Sequence, residues 1–256
     1  MRMKQNHIIH SFDERRDFVI PGDRQATVQF STDHFIDCAQ EAISQRGFFC
    51  VALSGGSTPK AIFHKLCEAS NRTKIDWNKV KLFWSDERAV PEDHPDSNYK
   101  MAMDAGFAEL KIPKSQIFKM NGVGDLEKNA LEYDEVIRRE IPDLVFDLIM
   151  LGMGEDGHTA SLFPKTHALH VKQRLSVANY IPEKKIWRMT MTYECINNAR
   201  NIAIYVLGSE KANTVSEVLS ANPSCDTETF PVQGVGTAKH RALWILDHDA
   251  AINLIH

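Results

Sequence analysis

The sequence predicts an α/β fold, a three-layer sandwich in which a mainly parallel central sheet is flanked by helices. Three observations carry this. Five short runs, "FFCVAL" (48–53), "VKLFW" (80–84), "VFDLIML" (145–151), "IAIYVL" (202–207) and "ALWIL" (242–246), are apolar on both faces, as strands covered on both sides must be. Amphipathic stretches separate them, and strands alternating with helices argue a parallel sheet. Polar or glycine-rich clusters follow three of the runs directly, where such a sheet places its ligands.

Taken in order, "DHFIDCAQEAISQRG" (33–47) puts Phe35, Cys38, Ala42 and Ile43 on one helical face, with Gly47 suited to the stop. "PKAIFHKLCEA" (59–69) opens with a proline, favoured at the first helical position. Residues 97–110, 125–141 and 209–219 read as helices by the same logic, with Asp96 or Ser97 as a cap. No internal repeat or linker interrupts the pattern, so residues 1–256 are expected to form one α/β domain. With 43% hydrophobic and 25% charged residues, the chain can build a sizeable core.

A formal charge of −4 argues against nucleic acid or an anionic membrane as partner, since both want a basic footprint. The five cysteines are odd in number and scattered without a CxxC pair, which points to reduced thiols. The N-terminus lacks an apolar stretch of signal-peptide length, and no run approaches the ~18 residues of a membrane span. A soluble, cytoplasmic protein is the expectation.

The first chemical cluster is "SGGSTPK" (54–60), after "FFCVAL". Gly55 and Gly56 let backbone approach a ligand, Ser54, Ser57 and Thr58 offer hydroxyls, and the following helix presents unpaired N–H groups. This reads as a phosphate-binding turn without a Walker lysine, so a nucleoside triphosphate is not implied; an ordinary strand-to-helix turn with a Ser/Thr cap is the competing reading. The second is "WSDERAV" (84–90), in which Asp86, Glu87 and Arg88 could orient a polyhydroxylated ligand or stabilise developing negative charge; a plain solvated loop is the competing reading. Arg188, at the head of "RMTMT", and Lys211, in the first turn of the helix after "GSEKA", could complete an anion pocket.

The third cluster, "LGMGEDGHTASLFP" (151–164), admits two readings. Gly152-x-Gly154-x-x-Gly157 has the spacing of a dinucleotide loop, but Pro164 arrives too early for the long helix that loop should open. "QRLSVANY" (173–180) also lacks the acidic residue expected near 20 positions on. The other reading is an acid–base pair: a neutral imidazole at His158 can take a proton near pH 7, with Asp156 fixing its tautomer. GxSxG is absent, so the histidine is expected to act on water or on the substrate itself.

In this order, "SGGSTP", "SDER", "DSNY", "GMGEDGHTASLFP", "RMTMT", "GSEKA" and "PVQGV" (231–235) resemble the 6-phosphogluconolactonase family of the oxidative pentose phosphate pathway, over about 200 residues from Val51 to Asp247. Tyr193 to Cys195 departs from the run expected after "RMTMT". The resemblance implies a Rossmann-like sheet and hydrolysis of 6-phospho-D-glucono-1,5-lactone. In that scheme His158 activates water with Asp156 in support, and Arg88 stabilises the oxyanion. The "SGGSTP" loop, Arg188 and Lys211 hold the 6-phosphate. It implies no cofactor and no metal, and as partner a small phosphorylated sugar lactone, with the chain a monomer or small homo-oligomer.

Two rival readings stand beside it. An aminosugar-phosphate deaminase–isomerase shares the glycine-rich loop and the Asp-Gly-His turn, but carries a glutamate where this chain has Phe163, which cannot relay a proton. A non-catalytic sugar-phosphate sensor usually adds an N-terminal DNA-binding helix pair, for which residues 1–30 are too few.

Overall fold

The computed structural model describes residues 3–4, 7–220 and 225–254. Strand β1 (Arg16–Gly22) leads into helix α1 (Arg24–Arg46), β2 (Phe49–Leu53) into α2 (Ser57–Cys67), and β3 (Val80–Trp84) into a short β4 (Asp86–Arg88) and helix α3 (Asn98–Asp104). Helix α4 (Leu126–Glu140) precedes β5 (Leu148–Gly152). A hairpin of β6 (Ser176–Ile181) and β7 (Ile186–Met191) follows, then β8 (Ile202–Val206), α5 (Ala212–Val218) and β9 (Ala242–Asp247).

The main sheet runs β1-β9-β8-β5-β2-β3 with all neighbours parallel, and His10–Ser11 adds an antiparallel edge beside β1. All five strands expected from apolar runs are present, as β2, β3, β5, β8 and β9. Their side chains feed two cores. Val51, Leu53, Leu148 and Met150 pack with Phe35 and Ala39 of α1 and Ile62 and Phe63 of α2. Cys50, Ala52, Ile149 and Leu151 face the other way, onto Tyr133 and Ile137 of α4 and Val177 and Met189 of the hairpin. A strand with both faces buried has no room for polar alternation, which is why these runs are continuous in sequence.

β4, β7 and β6 form a separate three-stranded antiparallel sheet. Neither it nor β1 appears among the apolar runs: "RDFVIPG" is broken by charge and proline, and "IWRMTM" is broken by Arg188 and Thr190, although its second half, Met189 to Met191, is buried.

Helix boundaries depart from expectation in three places. α1 begins at Arg24, nine residues before Asp33, capped by Asp23 accepting from the Ala26 amide at 2.9 Å. Thr27, Ser31 and Thr32 in that stretch face inward, and the Ser31 and Thr32 hydroxyls return to carbonyls four residues back (2.7 and 2.8 Å), so buried polar side chains disguise the inner face. α2 starts at Ser57, which places Pro59 two residues inside the first turn. Residues 97–110 do not form one helix: α3 stops at Asp104, Gly106 takes φ 117°, and a separate 3-10 turn covers Phe107–Glu109.

The strand order decides where a ligand can sit. From β2 the chain steps outward to β3, then returns to the opposite side of β2 as β5. The connections after β2 and β5 therefore part in opposite directions and leave a crevice above their carboxyl ends, the switch point at which open α/β sheets bind ligands. "SGGSTP" leaves β2 and "GEDGH" leaves β5, so the topology brings together two clusters about 100 residues apart in sequence.

Candidate active site

A cleft of about 260 Å³ occupies this crevice. One wall is the turn after β2, with Ser54, Gly55, Gly56, Ser57 and Thr58 lining it. Gly56 caps α2 at φ 103° and ψ 174°, a conformation open essentially to glycine alone, and it turns the first amides of α2 toward the cleft. The opposite wall is the turn after β5, with Gly154, His158 and Ala160. Asp86 and Arg88 come from β4, and Glu210 and Lys211 from the turn after β8.

His158 is held by its own turn. Asp156 Oδ1 accepts from the His158 backbone amide at 3.1 Å and lies 2.5 Å from His158 Nδ1. The His158 carbonyl in turn accepts from the Gly154 amide at 2.9 Å. With Nδ1 directed at a carboxylate, the neutral ring carries its proton there and leaves the Nε2 lone pair available. Burial pushes the Asp156 carboxyl up, but the hydrogen bonds and charge of His158, aided by Lys184, outweigh it and hold the group at about 2. The imidazole also stacks on Phe163, with ring centroids 4.0 Å apart and planes within 14°. Ala160, just beyond, sits at φ 47°, a left-handed conformation that is strained for alanine.

The segment carrying His158 is fastened to the antiparallel sheet. Ser161 Oγ donates to Asp86 Oδ2 at 2.7 Å, the Ser161 amide donates to Thr190 Oγ1 at 3.1 Å, and Asn179 Nδ2 donates to the Ser161 carbonyl at 2.9 Å. Asn98 Nδ2 also donates to the Asp86 backbone carbonyl at 2.9 Å. Glu87 points away from the cleft and binds the start of α3: its carboxylate accepts from the amides of Arg88, Asn98 and Tyr99 and from Ser97 Oγ, all within 3.0 Å. Ser97 is the cap of that helix, accepting from the Lys100 amide. The "DER" cluster is therefore not a solvated loop: Asp86 and Glu87 are buried and bonded, and Asp86 and Arg88 line the cleft. Arg88 Nη1 donates to the Asp96 carbonyl at 2.8 Å, which aims its guanidinium.

A model of the family described as glucosamine-6-phosphate isomerases/6-phosphogluconolactonase matches residues 22–244. The chain belongs to this family. It is 38% identical over 241 residues to the 6-phosphogluconolactonase of Chlamydia trachomatis serovar D, covering 94% of this chain and 91% of that protein. It is 39% identical over 223 residues to the 6-phosphogluconolactonase of Synechocystis, covering 84% and 88%. Among solved structures it superposes on the 6-phosphogluconolactonase of Thermotoga maritima with a TM-score of 0.77 at 28% identity, covering 90% of this chain and 98% of that one.

In this member of the family the fold gathers most of the residues singled out in the sequence. Ser54, Gly55, Gly56, Ser57, Thr58, Asp86, Arg88, His158 and Lys211 line one cleft, and Asp156 stands directly behind His158. Arg188 does not line it; it lines the adjoining groove with Lys185 and Trp187, and Arg88 is common to both. Lys211 Nζ lies 3.5 Å from Glu155 Oε1, which ties the turn after β8 to the turn after β5. Glu210 and Lys184 escaped the sequence reading because nothing in "GSEKA" or "PEKK" marks them locally. Among the described residues no group of three His, Cys, Asp or Glu side chains is arranged to hold a metal ion, and no helix is long and apolar enough to cross a membrane.

Proposed function

We propose that this protein hydrolyses 6-phospho-D-glucono-1,5-lactone to 6-phospho-D-gluconate. The observation that carries the reading is that the Asp156–His158 pair opens into the same cleft as the glycine-rich turn after β2 and Arg88. A base, a cation and an anion-binding turn within one small cleft are what an activated cyclic ester needs.

In this reading His158 Nε2 takes a proton from water, and the resulting hydroxide attacks C1 of the lactone. Charge collects on the carbonyl oxygen and is met by the Arg88 guanidinium. The C1–ring-oxygen bond then breaks, and the imidazolium returns its proton to the departing ring oxygen. Asp156 stabilises the imidazolium in between. The 6-phosphate rests on the amides and hydroxyls of Ser54, Gly55, Gly56, Ser57 and Thr58, with Lys211 beside it and Arg188 closing from the adjoining groove. No step in this scheme is assigned to a metal or a redox cofactor. The protein is read as one domain, cytoplasmic, and a monomer or small homo-oligomer. Its charge of −4 suits a small-molecule enzyme without nucleic-acid or membrane partners.

The test is lactone hydrolysis at neutral pH, with substrate generated in place by glucose-6-phosphate dehydrogenase. Wild type should exceed the spontaneous rate clearly, and His158→Ala should lose about 10²–10⁴ in rate while staying folded. A folded wild type that does not accelerate the reaction would sink the lactonase reading. Ammonia release from glucosamine 6-phosphate would then favour the deaminase, against which the buried, stacked Phe163 now speaks.

A further inference from the structure

Beside the cleft, Lys184 approaches the Asp156–His158 pair. Lys184 lies in the turn between β6 and β7, where the Lys184 amide donates to the Ile181 carbonyl and the Lys185 amide to the Pro182 carbonyl, both at 3.2 Å. Lys185 adopts φ 53°, so the turn is tight and its backbone is fixed. From this hairpin tip Lys184 Nζ reaches to 4.0 Å from Asp156 Oδ2, the oxygen that does not hold the His158 ring. It also stands 4.5 Å from the centroid of Phe163, the ring on which the His158 imidazole stacks. Lys184 thus contacts both groups that frame His158.

We propose that Lys184 is a positioning residue that acts through Asp156 and Phe163 to keep the His158 imidazole unprotonated, and therefore competent as a base, under mildly acidic conditions. This rests on the reading of His158 as the base. A carboxylate 2.5 Å from Nδ1 orients the ring, and a base already protonated cannot take a proton from water. A fixed cation on the far oxygen of that carboxylate offsets part of its field and repels the imidazolium, without disturbing the Oδ1–Nδ1 contact.

The other charges around His158 leave this role to Lys184. On its own turn, Glu155 is paired with Lys211. Across the cleft, Asp86 is bound by Ser161 and Asn98, Arg88 is bound to the Asp96 carbonyl, and Glu210 lines the far side with Lys211. Among the described residues, the ion-pair partners of Asp156 are His158 and Lys184. Lys184 is half exposed, so solvent screens its charge and the expected effect is modest.

The experiment compares wild type, Lys184→Met and Lys184→Arg in two readouts. One is the pH profile of kcat/KM for the lactone, whose acidic limb reports the free-enzyme base. The other is the NMR titration of the His158 Cε1–H signal, which needs no turnover. Lys184→Met should move both midpoints upward by roughly 0.3–1 pH unit, the size of one screened charge near the ring. Lys184→Arg should bring them back toward wild type. A residue that only braces the hairpin would lower stability and leave the midpoints in place. Unmoved midpoints, or a downward shift, would overturn the proposal. If wild type fails to hydrolyse the lactone, the NMR titration still decides the Lys184–His158 coupling, and the lactonase reading falls alone.

Discussion

Arg188 on β7 and Arg88 on β4 are register partners across an antiparallel ladder. Two guanidinium groups directly opposite each other repel, a cost of about 0.2–1 kcal/mol for like charges in a sheet. Burial and the facing Arg88 both disfavour the charge on Arg188 and lower its pKa, against the pull of Asp86, Glu87 and Asp96. An anion between the two grooves would relieve this repulsion. Replacing Arg188 with methionine should leave the Tm of the free protein within about 2 °C of wild type, or raise it. The KM for the phosphorylated lactone should rise about 10- to 100-fold, the loss of one charge-assisted contact. A large fall in Tm with unchanged KM would make Arg188 structural.

Gly154 leaves space for the acid–base pair. A Cβ there would collide with His158 Nδ1 and lie 2.6 Å from Asp156 Oδ1. Gly154→Ala should therefore push the imidazole off its stacked position while the surrounding β5 turn persists. Turnover should fall about 100-fold, as for a misplacement on the order of 1 Å. Steady-state kinetics beside thermal melts would check this, and retained turnover would mean that the pair tolerates displacement.

Glu87 is a structural carboxylate. Without it the amides of Arg88, Asn98 and Tyr99 and the Ser97 hydroxyl lose their acceptor at a buried helix start. Glu87→Ala should destabilise by about 3 kcal/mol, which for a chain of this size lowers Tm by about 6–12 °C. Denaturant melts provide the measurement, and a loss below about 1 kcal/mol would mean that water replaces the carboxylate.

Asp156 makes stability depend on acid in a defined window. Its folded pKa of about 2 lies below the ordinary 3.8, so ionised Asp156 favours the folded state. That contribution is fully present above about pH 4 and fades as pH falls toward 2. The stability difference between wild type and Asp156→Asn should therefore shrink as pH falls from about 4 toward 2. A difference that held constant down to pH 2 would contradict the pairing with His158.

How much of this was readable in advance varied with the kind of signal. β2, β3, β5, β8 and β9 were legible because double burial forces continuous apolar runs. β4 and β7 were not, since "DER" and "IWRMTM" are short and mix charged or polar side chains with apolar ones, which leaves little pattern. The early part of α1 was hidden by Thr27, Ser31 and Thr32: the Ser31 and Thr32 hydroxyls donate to carbonyls within the helix and that of Thr27 to the Gly22 carbonyl just before it, so all three tolerate the core. Asp156 and His158 were legible as a pair because their contact is local, two residues apart on one turn.

Contacts between distant segments had no such trace. Glu87 looked as available to a ligand as Arg88 does, because the donors that engage its carboxylate lie ten to twelve residues on, in Ser97, Asn98 and Tyr99. Arg188 and Lys211 read as equal candidates, yet Lys211 lines the cleft and Arg188 the neighbouring groove. Lys184 carried no signal at all, since its role depends on a hairpin tip folding back over Phe163. Local periodicity and short-range chemistry set the α/β class, the strands buried on both faces, the glycine-rich turn and the histidine on its aspartate. Only the tertiary structure decided which charges face the cleft, because the strand order β8-β5-β2-β3, which brings those turns together, is fixed by packing between segments that share no local signal.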